Sequence, residues 1–92
     1  MSQEEKILTL FRIFTQQKTV AEFQELFEDL CTRKEVERMA ERLYAAKQLM
    51  EGKTYAQVIQ ETELSSATLS RISRCVQYGK GYTRVLEGEL DD

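Results

Sequence analysis

The sequence predicts an all-α fold, and three observations carry that expectation. Proline is absent and only four glycines punctuate 92 residues, so little in the chain breaks helices. Apolar residues recur three and four positions apart along most of its length. A Ser or Thr is followed three residues later by Glu or Gln at several points where such a stripe begins, the signature of a capping box. A chain of this size makes one small domain with a modest buried fraction, so a partner subunit would stabilise it considerably. Dimerisation is expected on that ground alone.

The elements follow in order. Ser2 with Glu5 opens a first helix, and Ile7, Leu8, Leu10, Phe11 and Phe14 give it an apolar stripe too wide for a lone surface helix. A break near Gln16 to Lys18 precedes Thr19 with Glu22, and Val20, Phe23, Leu26, Phe27 and Leu30 mark a second amphipathic helix ending near Cys31. Thr32 with Glu35 opens the longest helix, whose stripe is Val36, Met39, Ala40, Leu43, Ala46, Leu49 and Met50. Gly52 supplies the left-handed residue that ends it. Its polar face mixes Glu35, Glu37, Arg38, Glu41, Arg42 and Lys47, as a solvated helix does.

Thr54, boxed with Gln57, caps a short helix from about Tyr55 to Thr62. Leu64 reads as the apolar plug of a turn, and Ser65 as the cap of a further helix whose inward residues are Leu69, Ile72 and Val76. That spacing leaves Ser66, Thr68, Ser70, Arg71, Ser73, Arg74 and Gln77 on faces away from the core. Two short helices about a tight turn read as a helix-turn-helix, whose second helix enters the major groove of double-stranded DNA. After a flexible Gly79-Lys80-Gly81 break, a last helix is expected to pack Tyr82, Val85 and Leu86 inward, with Glu89 to Asp92 fraying. The whole is one domain spanning 1–92, with dimerisation helices at about 2–31, a long helix at about 33–51, the helix-turn-helix at about 54–78 and a C-terminal helix at about 82–90.

A net charge of −3 is at first sight wrong for a nucleic-acid binder, because DNA affinity comes largely from neutralising phosphates. Its distribution matters more. From Ser66 to Arg84 there are four cations, Arg71, Arg74, Lys80 and Arg84, and no acid, whereas Val85 to Asp92 carries four acids and no cation. Positive charge is concentrated on and just after the proposed reading helix. Arg71 and Arg74 alone could simply solvate a helix. Their company is a Ser- and Thr-rich helix start, small enough for close approach and with free backbone N–H groups suited to phosphate, which fits a groove reader better.

Other functions find less support. Cys31 and Cys75 lack metal-ligand spacing and no histidine exists to join them, so they read as small buried hydrophobes in a reducing cytosol, and no metal site is expected. No nucleophile stands beside a base and no glycine loop cradles a phosphate, so neither an enzyme nor a cofactor is expected. No apolar run approaches the ~20 residues needed to span a membrane, and a cytoplasmic protein is expected.

The segment from Thr32 to Gly79 resembles the Trp-repressor family, and within it the YerC/YecD-type relatives. Three features carry the resemblance: TRKEVERMAERLYAAKQLMEGKTYAQVIQETE, with its long helix ending at Gly52; SSATLSR; and two hydrophobic helices ahead of both. The resemblance implies a Trp-repressor-like helical domain in an intertwined homodimer whose two helix-turn-helices bind successive major grooves of a palindromic operator. By position it implies base-edge contacts from Ser65, Ser66, Ala67 and Thr68, with Ser70 and Arg71 one turn later; Arg74 joins the DNA-contacting set on the charge distribution above. Gln57 and Gln60 stand where the family has basic residues that touch DNA. Glutamine keeps a bidentate fit to adenine and gives up phosphate attraction.

Thr32, Arg42, Thr68 and Arg71 match positions that form the tryptophan pocket in the family. Two pocket positions depart: Ile72 stands where the family has a glycine that leaves room for the ligand, and Cys75 where it has a serine. A branched side chain in that slot fills the space from within, so tryptophan is not expected as corepressor. Arg42 has no carboxylate at pairing distance on its own helix, which leaves either a solvated arginine or a partner on another element. The expected function is a homodimeric DNA-binding transcriptional repressor. The rival is a helical interaction module that keeps the repressor fold and binds another protein.

Overall fold

In a computed structural model, backbone is described for residues 1–90 and side chains through Gly88. Six α-helices occur among the described residues: α1 (Gln3–Thr15), α2 (Val20–Leu30), α3 (Arg33–Met50), α4 (Tyr55–Glu61), α5 (Ser66–Tyr78) and α6 (Gly81–Leu90). The expected fraying concerned Glu89 to Asp92. The α6 backbone runs through Leu90, and Asp91 and Asp92 lie outside the described residues.

The helix starts are set by local hydrogen bonds. Thr19 and Thr54 form reciprocal capping boxes with Glu22 and Gln57. Thr32 does the same with Glu35: its N–H donates to Glu35 Oε1 at 2.8 Å and its hydroxyl accepts from the Glu35 N–H at 3.1 Å. Ser2 departs from the expected box. Its hydroxyl accepts from the Glu5 N–H and itself donates to the Glu5 carboxylate at 3.2 Å, so the glutamate meets the side chain instead of the backbone. Gly52 ends α3 with φ 95°, a left-handed conformation that a Cβ would strain.

The chain divides into two compact units, one of residues Met1–Val36 and one from Glu37 onward. In the first, the Phe14 and Phe27 rings meet with centroids 5.3 Å apart, yet neither α1 nor α2 contains a single buried residue. The second has a core of Ala45, Ala46, Val58, Leu69, Ile72 and Leu86, with Leu49, Met50, Ile59, Leu64, Val76 and Tyr82 packed against it. There α5 lies against both α4 and α6.

Two side-chain expectations are corrected. Val85 is 52% exposed, because Tyr82 and Leu86, four apart, take the inward line of α6 and Val85 stands about 100° around the helix from Leu86. Cys31 and Cys75 are free thiols and only half-buried, each lining a surface cavity instead of the core. The Gly79-Lys80-Gly81 break is also shorter than expected. Gly79 caps α5, its N–H donating to the Cys75 carbonyl at 2.8 Å, and Gly81 already begins α6.

Candidate nucleic-acid interface

The candidate interface is built from α4, the four residues 62–65 and α5. Thr54 fixes the start of α4, and Thr62 closes its end by donating to the Val58 carbonyl at 2.9 Å. Val58 is fully buried against Leu69, and half-buried Leu64 plugs the turn between the helices. Ser65 then caps α5: its hydroxyl accepts from the Thr68 N–H at 3.1 Å and donates to the Thr68 hydroxyl at 3.0 Å. Tyr55 Oη donates to the Ser66 carbonyl at 2.8 Å, joining the first residue of α4 to the first residue of α5.

With Leu69 and Ile72 turned into the core, Ser66, Ala67, Ser70, Arg71 and Arg74 are exposed on α5. Ser66, Ser70 and Arg74 recur every four residues, and Ala67 and Arg71 share the adjoining row, so all five lie on one broad face. Thr68 is half-buried at the edge of that face. On α4 both Gln57 and Gln60 are exposed, but Gln57 Oε1 is occupied, accepting from the Thr54 N–H at 2.8 Å. Its amide NH2 keeps its donor capacity.

Glu61 anchors the other end of α4. Its carboxylate accepts from Lys53 Nζ at 3.1 Å and from Tyr44 Oη at 3.1 Å, which ties α4 to α3 and to the connection between them. The Lys53 bond first and the Tyr44 bond second hold the Glu61 carboxyl below the usual carboxylate range. Facing that carboxylate, Lys53 and the Tyr44 phenol are both raised, in each case chiefly by the hydrogen bond to Glu61.

Arg42, Thr68, Arg71, Ile72, Cys75 and Tyr82 line a cavity of about 240 Å³. Three of the four sequence-derived ligand residues, Arg42, Thr68 and Arg71, are thus brought together. Thr32 belongs to the N-terminal unit, where its hydroxyl caps α3. Buried Ile72 forms one wall of the cavity and half-buried Cys75 another. Sequence reasoning missed two residues: Tyr82, read only as packing, lines this cavity, and Tyr55 was not singled out at all. The short connection after α5 held the signal for Tyr82, since it returns α6 directly against α5. For Tyr55 no local signal existed, because its partner is eleven residues away.

Among the described residues no group of three His, Cys, Asp or Glu side chains gathers as a metal site, and no helix is long and apolar enough to cross a membrane.

The family model described as Trp repressor protein matches residues 5–90. The chain belongs to that family. Trp repressors are regulatory DNA-binding proteins, not enzymes. Uncharacterized protein YerC of Bacillus subtilis (strain 168) is 43% identical over 70 residues, covering 76% of this chain and 67% of that protein. Among solved structures, a proposed Trp repressor from Staphylococcus aureus is 34% identical with a TM-score of 0.84, covering 100% of this chain and 98% of that one. A TrpR like protein from Eubacterium eligens ATCC 27750 is 37% identical with a TM-score of 0.82, covering 90% of this chain and 87% of the other. The all-α Trp-repressor fold expected from the sequence is therefore the fold of this chain.

Proposed function

We propose that this Trp repressor family member is a cytoplasmic, sequence-specific DNA-binding transcriptional repressor that binds a palindromic operator as a homodimer and takes no tryptophan as corepressor. The observation that carries the reading is the exposed face of α5, small and hydroxyl-rich at its start and followed by Arg71 and Arg74. Base edges are met by Ser65, Ser66, Ala67 and Thr68, with Ser70, Arg71 and Arg74 further along and Gln57 and Gln60 contributing from α4. The homodimer is supported by the N-terminal unit, whose helices contain no fully buried residue and border a largely apolar groove that includes Val20, Phe23, Phe27 and Val36. Tryptophan is disfavoured by Ile72 and Cys75 in the walls of a cavity that, at about 240 Å³, is smaller than most ligand sites.

The deciding experiment selects genomic fragments bound by the purified protein and repeats the measurement over a salt series. A subset of fragments should be retained, affinity should fall linearly on logarithmic axes as salt rises, and added tryptophan should leave it unchanged. Arg71→Ala should weaken binding about tenfold or more without unfolding the protein. Background affinity for every fragment, with no salt dependence, sinks the DNA reading and leaves the interaction module in its place.

A further inference from the structure

The start of α5 is where base reading is decided, and its own caps do not fix its orientation. The Ser65 and Thr68 hydroxyls bond within the first turn of α5, and Leu69 and Ile72 anchor the helix only beyond that turn. Among the described residues, the 2.8 Å bond from Tyr55 Oη to the Ser66 carbonyl is the one hydrogen bond that joins α4 to α5. Glu61 holds α4 itself against Lys53 and Tyr44, so Tyr55 reaches out from a fixed frame.

We propose that Tyr55 is a positioning residue that sets the height and tilt of the first turn of α5 over the major groove. This rests on the DNA-reading function proposed above. A groove reader must hold its contacting groups within about 0.5 Å of productive geometry, and a single cross-helix bond at the first residue of the helix is suited to that. Direct contact is the competing role for a tyrosine at this exposed edge. Its phenol has one proton, and that proton is committed to the Ser66 carbonyl, leaving only acceptor capacity toward a phosphate that also only accepts. The hydroxyl therefore acts through Ser66.

Tyr55→Phe in the full chain tests the role, since it removes one oxygen and keeps the ring. Binding is measured to a fragment retained in the genomic selection and to a scrambled fragment of the same length, across the salt series. Affinity for the retained fragment should fall about 2- to 10-fold, the range of one net hydrogen bond, with affinity for the scrambled fragment and the salt slope unchanged. Without DNA, the amides of Thr68 to Ser70, the first protected ones of the helix, should exchange faster. An equal loss on both fragments with a shallower salt slope would make Tyr55 a phosphate contact and overturn the proposal. So would a lower melting temperature with unchanged affinity of the folded protein, which is a purely structural role. Failure of the wild type to distinguish the two fragments defeats the DNA reading itself. Unchanged amide exchange in the variant defeats the positioning role whatever DNA does.

Discussion

Glu61 shows how a single exposed side chain shapes the proposed reading head. With Lys53 and Tyr44 both donating to it, its carboxyl titrates below the ordinary glutamate value. A group depressed in the folded state contributes stability that is present above its unfolded pKa, about 4.3, and is lost as pH falls through the folded value. Lys53 and Tyr44 are raised, so their share is present below their ordinary values near pH 10 and is lost as pH rises through the folded ones. Glu61→Gln should therefore lower the melting temperature at neutral pH. The gap to the wild type should begin to close as pH falls below about 4.3 and vanish only below the depressed folded value, where the folded wild-type side chain also becomes neutral. A gap that stays constant from pH 7 to pH 3 would show that the charge of Glu61 does not hold α4.

At the scale of elements, the helix starts were legible in the sequence because each is written within four residues. Thr19 with Glu22, Thr32 with Glu35 and Thr54 with Gln57 need no tertiary partner to form their bonds. Gly52 was legible for the same reason, and it permits a clean test. A Cβ there would meet no atom within 4 Å, so Gly52→Ala suffers from its φ of +95° alone. The expected loss is on the order of 1–2 kcal/mol, read as a lower urea midpoint with unchanged slope at fixed protein concentration. Gly81 also has open space around it but no positive φ, so Gly81→Ala should be neutral or mildly stabilising. Equal effects at the two sites would remove the conformational explanation. What the sequence could not disclose depends on packing between helices. The Tyr55 bond spans α4 and α5, and Tyr82 reaches the Arg42 and Arg71 cavity only because α6 folds back on α5. Val85 was misread because a short helix offers two apolar rows and the neighbour selects one.

The whole molecule raises the question of what covers its N-terminal helices. Ile7, Leu8, Phe11 and Ile13 of α1 and Val20, Phe23 and Leu30 of α2 are exposed, with Phe11 at 56%. So many exposed large apolar side chains on two short helices are a burden to a lone subunit, and a 92-residue chain has little other core to offset them. In the proposed homodimer a second copy covers these stripes, and two reading heads can address half-sites about 34 Å apart. Sedimentation should then give twice the chain mass, and the melting temperature should rise with protein concentration, because association stabilises the folded state by mass action. Phe11→Lys introduces a charge into the stripe. It should shift the equilibrium toward monomer and abolish the advantage of a palindromic fragment over a single half-site, while leaving the α4–α5 bonds and the cavity beside Arg71 intact. A wild-type chain that sediments as a monomer, with a melting temperature independent of concentration, would rule out self-association and assign the same stripes to a different protein partner.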